Sequence, residues 1–293
     1  MNVQQLLIYP IKSLSGVAVA QAVVEAGGLR HDRRYMLVTP AADGRSGMFI
    51  TQRTNHHMAL IDVAMDVPGN KLRVWHRNVP DDVLVLPLVP QRIGDERISV
   101  SIWDSDDVPA QPVSTDADDW FSQVLGKSCR LVYMPDDTRR TITSRHIRRD
   151  DVADPVVSFA DGFPVLVATQ SSLDELNLRI GDADEPMVMA RFRPNLIVGG
   201  LCWPHDEDTW GQFSVGEAIF FGVKPCVRCV LTTIDPGTGE RGQEPLKTLA
   251  TYRRFENKIL FGENAMPALT SAGQTLRVGD PVEVIERKES WIN

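Results

Sequence analysis

Residues 34–53 read RYMLVTPAADGRSGMFITQR, two short apolar runs joined by a segment that contains Asp43 and Gly44. Similar β-rich runs recur through the first part of the chain, and Gly, Pro, Asn or Asp bounds them. They are VQQLLIYPI (3–11), VAVAQAVVEA (17–26), MALIDVAMDV (58–67), KLRVWHR (71–77), VLVLPLV (83–89) and RISVSIW (97–103). Strands at such regular spacing predict an antiparallel sheet, a barrel or a sandwich.

The composition excludes several classes of protein. The chain has 293 residues, 43% hydrophobic and 24% charged, which is enough for one large or two modest globular domains. A formal net charge of -8 argues against a generic nucleic-acid-binding role, because such proteins usually carry a basic excess. No apolar run approaches the roughly 20 residues of a membrane span, and the N-terminal residues lack a signal-peptide pattern. Four cysteines do not make a disulfide framework here, so we expect a cytoplasmic protein with reduced thiols.

Three helices are predicted among the strands. Residues 116–125 carry apolar side chains at helical spacing, and Gly126 follows at a C-cap position. Ser172 and Glu175 match a capping box that would open a second helix. A third helix is predicted over residues 245–255, where a proline occupies the first turn.

Further strands are predicted in the second half of the chain. Residues 163–169 (FPVLVAT) have the pattern of a buried strand, and residues 195–200 (NLIVGG) form another short apolar run. Residues 275–287 (TLRVGDPVEVIER) predict a β-hairpin with its turn at Gly279 and Asp280.

The segment KPCVRCVLTTIDPGTGE (224–240) contains a C-x-x-C pair formed by Cys226 and Cys229, with Arg228 beside the second thiol. A structural zinc site usually needs two such pairs, which argues against zinc. A thioredoxin-like dithiol needs a helix start, whereas a strand and a turn are predicted to follow this pair. Two interpretations stay open. The thiols are structural and half-buried on a strand, or one thiolate binds a soft or transition metal while Arg228 favours its deprotonated form.

Basic and polar residues recur at the ends of predicted strands. They are Lys12, Ser13, Asp32, Arg33, Arg34, Arg53, Arg193 and Asn195. Each alone is typical of solvated surface, but together they indicate a site for a polyanionic ligand. Residues 136–154 add five arginines within eleven positions. This segment is typical of either a solvated, self-paired loop or an anion-binding wall.

Eight motifs together resemble the MOSC family, named for the C-terminal domain of molybdenum cofactor sulfurases. The resemblance is closer to the branch with an N-terminal MOSC β-barrel region, which includes the mitochondrial amidoxime-reducing component and its bacterial relatives. The motifs follow the family order along nearly the whole chain. They are YPIKSLSG (9–16), DRRYML (32–37), FITQR (49–53), RFRPNLIV (191–198), EDTW (207–210), KPCVRCVLTTIDPGTG (224–239), EPLKTLATYR (244–253) and GDPVEVI (279–285).

The resemblance implies a mostly β fold with some α structure. An N-terminal β-barrel-like domain would span residues 1–127 and pack on a MOSC β-barrel domain with a few helices, residues 128–293. It also implies a molybdenum cofactor, that is, molybdopterin carrying the metal, with a cysteine as the protein ligand to molybdenum. The matching ligand is Cys229, with Cys226 as the alternative.

The resemblance implies the other site residues as well. Asp161 matches an acidic residue near the metal and joins Cys229 as a catalytic residue. Val227 replaces a serine found in several relatives, and so removes one hydrogen bond to the cofactor that those relatives can form. The cofactor-binding residues are Lys12, Ser13, Arg33, Arg53, Arg193, Asn195 and Arg228.

The implied function is the molybdenum-dependent reduction of small N-hydroxylated compounds such as amidoximes. Some bacterial relatives carry a C-terminal ferredoxin domain, but the four cysteines here lack the spacing for an iron–sulfur cluster. We therefore expect a separate electron-donor protein, which would be a ferredoxin, a cytochrome b5-type protein or a flavin reductase.

Two alternatives stay open. In the first, the chain is a cofactor- or sulfur-carrier protein with a persulfide on Cys229. No pyridoxal-phosphate domain of the kind found in sulfurase relatives is recognised in this sequence, so that sulfur would come from elsewhere. In the second, the chain is a non-catalytic module that stores the cofactor or senses anions.

Overall fold

The computed structural model describes residues 1–91, 96–147, 155–181 and 186–292. Within those residues the chain forms mostly β-strands with three α-helices. The strands are β1 (Asn2–Ile8), β2 (Val17–Val19), β3 (Gln21–Glu25), β4 (Gly28–Leu29), β5 (Tyr35–Pro40), β6 (Ser46–Phe49), β7 (Ile61–Asp66), β8 (Lys71–His76), β9 (Val79–Pro87), β10 (Ile98–Ile102), β11 (Ser105–Pro112), β12 (Arg130–Tyr133), β13 (Val165–Thr169), β14 (Leu196–Gly199), β15 (Trp210–Val215), β16 (Ala218–Arg228), β17 (Arg254–Phe255), β18 (Lys258–Pro267), β19 (Thr275–Arg277) and β20 (Val282–Arg287). The helices are α1 (Thr115–Leu125), α2 (Gln170–Ile180) and α3 (Leu246–Tyr252).

Strands β5, β6, β10, β11 and β12 close into a barrel, which confirms the predicted mostly β fold with an N-terminal barrel. Strand β5 is buried on both faces. Its Met36 and Val38 join the apolar cluster of the barrel strands, while Tyr35 and Leu37 pack in a second cluster that includes Phe121 of α1. Because alternate residues of a strand point to opposite faces, a strand covered on both sides is apolar at successive positions.

A nine-stranded sheet dominates the second half of the chain. Its order is β2-β1-β14-β13-β18-β16-β15-β20, with β17 paired to β18. Strand β1 lies beside β14, where Val3 pairs with Val198, and β3 pairs with β19. Strand β12 of the barrel begins at Arg130. The strand pairing therefore does not follow a division at residue 127, and the two halves of the chain are interleaved. Two smaller groups, β7-β8-β9 and β19-β3-β4, complete the fold.

The helix predictions are confirmed in part. Helix α1 begins after Ser114, whose hydroxyl accepts a hydrogen bond from the backbone N–H of Ala117, and it ends at Gly126 with a φ of 64°. The capping box at Ser172 is wrong. The N-cap of α2 is Thr169, whose hydroxyl accepts from the backbone N–H of Ser172. The Ser172 hydroxyl instead donates to Glu207, a partner far along the chain.

Two other local predictions are corrected by long-range pairing. The third predicted helix is shorter than expected, because α3 ends at Tyr252 and Phe255 already belongs to β17. The predicted C-terminal hairpin is wrong, since β19 pairs with β3 and β20 pairs with β15. Gly279 donates its backbone N–H to the carbonyl of Val3, so the loop between these strands packs on β1.

No helix in the described part of the chain is both long enough and apolar enough to span a membrane.

Candidate functional site

A cavity of about 710 Å³ is lined by residues from both halves of the chain. Its volume is within the range of about 300–1,000 Å³ that is typical of small-molecule and cofactor sites. Among the strand-end residues that the sequence singled out, Asp32 and Arg34 do not line it. The metal-ligand, catalytic and cofactor-binding residues that the resemblance implies all contribute to its wall. These residues are Lys12, Ser13, Arg33, Arg53, Asp161, Arg193, Asn195, Cys226, Arg228 and Cys229.

The wall of the cavity is strongly cationic, although the whole chain carries a net charge of -8. Six cationic side chains line it, against the two carboxylates of Asp104 and Asp161. The cations are Lys12, Arg33, Arg53, Arg193, Lys224 and Arg228. Such a concentration of one sign in a cleft favours the binding of an anionic ligand.

Lys12 and Asp161 form an ion pair that joins the two halves across the cavity. The Lys12 ammonium also donates to the carbonyl of Phe159 at 2.8 Å. Asp161 accepts further hydrogen bonds from the Trp103 indole at 3.1 Å and from Arg53 at 3.3 Å. Because Lys12 is buried, its pKa is lowered to about 8, although the nearby Asp161 opposes this shift.

The pKa of Asp161 is also lowered, but by its neighbours and not by burial. Partial desolvation by itself would raise the pKa of its carboxyl group, but Lys12, Trp103 and Arg53 outweigh that effect and hold the pKa well below its usual range. Asp161 is therefore an ionised acceptor at neutral pH. It holds Lys12 in place and cannot itself supply a proton to a ligand.

Asn195 is buried and all of its side-chain hydrogen bonds are made to the protein. Its amide nitrogen donates to the carbonyl of Leu7 at 3.1 Å and to Asp32 at 3.0 Å. Its oxygen accepts from Arg33 at 3.0 Å and from the backbone N–H of Leu166 at 3.2 Å. Although Asn195 lines the cavity, these contacts make it a residue that positions Arg33.

Asp32 completes this support. The sequence grouped it with the strand-end residues, but the resemblance did not include it among the implied site residues. It is buried and accepts from the backbone N–H of Tyr9 at 2.9 Å and from Arg33 at 2.6 Å. The adjacent Asp-Arg pair was visible in the sequence, but its contact with Asn195 depends on tertiary structure.

Arg33 and Arg193 both pack on the ring of Tyr9, with guanidinium carbons 4.2 and 4.3 Å from its centroid. Burial raises the pKa of Tyr9 to about 12 and lowers the pKa of Arg193 to about 10. The Nη2 atom of Arg193 is buried with no hydrogen-bond partner in the described residues. An unpaired buried donor costs about 1–3 kcal/mol, so a ligand with an acceptor at this position would be stabilised.

Four side chains of the cavity wall stand on strained backbone. The φ angles of Ser13, Arg33, Trp103 and Arg193 are 71°, 47°, 51° and 58°. This left-handed conformation is unfavourable for residues other than glycine, and it persists where surrounding contacts impose it, often at functional sites. The strain therefore points to the same cavity as the charge does.

The two thiols lie at the end of β16. The strand ends at Arg228, and Cys229 precedes a short 3-10 helix, Val230–Thr233. The strand predicted after the cysteine pair is therefore wrong. The turn is closed by a hydrogen bond from the backbone N–H of Thr232 to the carbonyl of Cys229 at 3.1 Å.

Arg228 contacts the first thiol of the pair. Its Nη1 donates to the sulfur of Cys226 at 2.9 Å and its Nη2 donates to the carbonyl of Phe192 at 2.7 Å. The sequence predicted a contact with Cys229, but residues two apart in a strand share a face. The sulfur of Cys229 makes no hydrogen bond within the described residues, so it is the thiol that is open to a ligand.

One residue of the arginine-rich segment, Arg140, stabilises the loop that carries Asp161. Arg140 is buried and donates to the carbonyls of Ser158, Ala160 and Asp161 at 2.9, 2.6 and 3.1 Å. It therefore holds the loop that carries Asp161. Part of the predicted anion-binding wall, residues 148–154, lies outside the described residues.

The donor set fits an anionic ligand that carries a metal. Arg193 offers an unpaired N–H, and Ser13 brings a hydroxyl to the cavity wall. Both are suited to phosphate-like oxygens. Cys229 offers a thiol, the donor type that soft and transition metals prefer.

Comparison with known proteins identifies related chains. The family models for the MOSC N-terminal beta barrel domain and the MOSC domain match residues 1–128 and 154–283. Mitochondrial amidoxime-reducing component 1 of Mus musculus is 31% identical over 298 residues, which cover 97% of this chain and 82% of that protein. Mitochondrial amidoxime reducing component 2 of Homo sapiens is 32% identical, with 96% and 82% covered. Molybdenum cofactor sulfurase of Oryza sativa subsp. japonica is 30% identical over 96% of this chain, but the chain spans only 35% of that protein.

Proposed function

The chain belongs to the family of MOSC-domain proteins with an N-terminal MOSC β-barrel domain, and on this premise we propose that it is a molybdenum-cofactor-dependent reductase of small N-hydroxylated compounds. The proposal rests on one observation, which is that three features occur in the same cavity. These are the unbonded thiol of Cys229, the buried unpaired N–H of Arg193 and the cationic wall. Together they suit a phosphate-bearing organic cofactor and the metal that it carries.

The inner residues would hold the cofactor. Arg193 and the Ser13 hydroxyl would donate to its phosphate, and Arg33 would do so from the position set by Asn195 and Asp32. Cys229 would be the protein ligand to molybdenum. When bound, the cofactor supplies the redox chemistry that removes oxygen from an N–O bond.

Two further residues would complete the cofactor site. Lys12 would add a positive charge on the opposite wall, fixed by Asp161. Arg228 would act through Cys226, whose sulfur it contacts.

The remaining chemistry depends on access to solvent. The side chain of Asp161 is 52% exposed, so water reaches the cavity beside it. Since Asp161 stays ionised, the protons needed to release water would come from solvent. Electrons would come from a separate protein, which would be a ferredoxin, a cytochrome b5-type protein or a flavin reductase. The net charge of -8 would favour a donor with a basic docking surface.

The four free cysteines support a reducing compartment such as the cytoplasm.

A second function is favoured by the resemblance to the rice sulfurase and by the same open thiol. In that function Cys229 would carry a persulfide and pass sulfur to an acceptor. The sulfur would have to be delivered to Cys229 by another protein or another domain. Its signature would be sulfane sulfur on Cys229, released by cyanide, in protein without molybdenum.

The test is the molybdenum and pterin content of protein purified anaerobically from cells that make the cofactor. We expect near-stoichiometric molybdenum in the wild type and in Cys226→Ala, and loss of the metal in Cys229→Ala. Turnover of an amidoxime with a chemical reductant should follow the metal content. Wild-type protein without molybdenum would contradict the proposal, and loaded protein without turnover with any donor would indicate a binding module.

A further inference from the structure

We propose that Arg53 and Trp103 form a substrate-recognition subsite, specific for N-hydroxylated compounds that carry an aromatic ring and an acidic group. The inference rests on the proposed reductase function and adds the class of substrate. It differs from the assignment of Arg53 to the cofactor that the sequence suggested. Its basis is the position, the incomplete hydrogen bonding and the aromatic packing of these two residues.

Both residues lie toward the outer part of the cavity. The side chain of Arg53 is 28% exposed, whereas those of Lys12 and Arg33 are 6% and 11% exposed. Trp103 is 39% exposed, although it contacts the cavity carboxylate of Asp161. A cofactor bound through the inner residues would leave Arg53 and Trp103 facing the incoming substrate.

Arg53 has few hydrogen-bond acceptors of its own. Its one protein acceptor in the described residues is Asp161, at 3.3 Å from Nη2. Its Nε is buried without a partner, and its Nη1 donates to no group in the described part of the chain. Asp161 is already engaged by Lys12 and Trp103. An arginine with open donors in a half-exposed cavity is suited to a carboxylate, which accepts two parallel N–H bonds.

Trp103 provides an aromatic surface beside these donors. It lies in the turn between β10 and β11 with a φ of 51°. Three contacts hold it there: its indole N–H donates to Asp161, its ring packs edge-on against Phe49 at 4.8 Å, and the Arg53 guanidinium lies 4.1 Å from its centroid. Strained backbone that is fixed by several contacts is a feature of functional positions. The exposed part of the indole can pack against the ring of a substrate.

Lys224 is another cavity cation that packs on an aromatic ring. The Lys224 ammonium is 5.2 Å from the ring centroid of Phe163, and no ion pair of Lys224 is present among the described residues. Lys224 therefore adds uncompensated positive charge to the wall. With six cations against two carboxylates, the wall would keep part of its positive charge after the anionic group of the cofactor is bound. An acidic substituent on the substrate would be attracted to that remaining charge.

The test compares three amidoximes with the molybdenum-loaded protein: benzamidoxime, its 4-carboxy derivative and acetamidoxime. The wild type should favour the carboxylated ring over the unsubstituted ring in kcat/KM. In Arg53→Gln, the ratio of these two values should fall about 10- to 100-fold, as expected for the loss of a charge-assisted hydrogen bond. In Trp103→Leu, kcat/KM should fall for both aromatic substrates relative to acetamidoxime.

Matched controls lie outside the cavity. Arg30→Gln removes an exposed arginine that pairs with Glu25, and Trp203→Leu removes an exposed tryptophan. Both controls should leave the substrate ratios unchanged. A ratio in Arg53→Gln within about twofold of the wild type would overturn the inference. A fall in the molybdenum content of Arg53→Gln would assign the residue to the cofactor and would overturn it as well.

A binding measurement separates this inference from the reductase proposal. Calorimetric titration with 4-carboxybenzamidine, the product of the carboxylated amidoxime, requires no turnover. We expect its Kd to rise about 10-fold or more in Arg53→Gln, while the Kd of benzamidine changes little. If this discrimination is present but no amidoxime is reduced, the recognition subsite stands and the reductase proposal fails. If amidoximes are reduced but the two ligands respond equally, the reductase proposal stands and the subsite is wrong.

Discussion

The substitution Asn195→Ala should destabilise the protein more than its small change in volume suggests. Asn195 is 1% exposed and makes four side-chain hydrogen bonds, two of them to the charged groups of Arg33 and Asp32. A hydrogen bond to a charged group contributes about 1.5–3 kcal/mol and a neutral one about 0.5–1.5 kcal/mol. Since water could satisfy part of what is lost, we expect the free energy of unfolding to fall by about 4 kcal/mol.

Urea denaturation of the cofactor-free protein measures this change. The matched control is Asn177→Ala, which removes two hydrogen bonds to the backbone of Met187 and should cost about 1–2 kcal/mol. Asn195→Asp is nearly isosteric, but it replaces the amide that donates to Asp32 with a second carboxylate. It should therefore also destabilise the protein at neutral pH. A loss below about 1 kcal/mol in Asn195→Ala would refute the view that this network holds the site together.

The same variant tests the link between support and function. If Asn195 positions Arg33, conditions that restore the fold of Asn195→Ala should still leave it with less bound molybdenum than the wild type. Retention of the full metal content by folded Asn195→Ala would show that Arg33 does not depend on this contact for cofactor binding.

Three further predictions follow from individual groups. Burial lowers the pKa of Lys12 to about 8, so the affinity of cofactor-free protein for sulfate should fall as pH rises through that value, and Lys12→Gln should flatten this dependence in equilibrium dialysis. Burial raises the pKa of Glu207 from 4.5 to about 7, because the folded protein favours the protonated carboxyl group. The stabilisation that this protonated form provides is therefore lost as pH rises from about 4.5 to about 7. In urea unfolding, the wild type should lose about 2 kcal/mol relative to Glu207→Gln between pH 5 and 7. Ser13→Gly relieves a φ of 71° and should raise the melting temperature while lowering cofactor retention, whereas a lower melting temperature would argue against strain at this position.

The elements that were predicted well are those whose signals are local. The side-chain cap of α1 at Ser114 and the left-handed C-cap at Gly126 involve neighbours within a few residues, so the sequence contains the whole interaction. Strand β5 was also predicted from its own residues. A continuous apolar run indicates a strand buried on both faces, whichever strands pair with it. Resemblance to a family then brought scattered motifs to one cavity, which periodicity alone could not do.

The errors arose where a distant group competes with a nearby one. Ser172 fits a capping box in sequence, but its hydroxyl donates a hydrogen bond to the buried side chain of Glu207 instead. The residues around Gly279 fit a hairpin turn, but each flanking strand pairs with an element from elsewhere in the chain. The contact between Arg228 and Cys226 was within reach of sequence reasoning, because alternation along a strand predicts it.

The pairing of Val3 with Val198 also sets an order of assembly. On the ribosome, β1 emerges early and must wait for β14 before it has a partner, and the residues around Lys12 must wait still longer for Cys229. Folding from such distant pairings is slow, because the chain entropy lost in closing the intervening loop precedes the contacts that compensate for it. Any ligand held by both walls of the cavity can therefore be inserted only after translation has passed Cys229. The nascent chain would meanwhile expose the apolar side chains of Val3, Leu6 and Ile8 to other proteins, so its yield in cells should depend on chaperones.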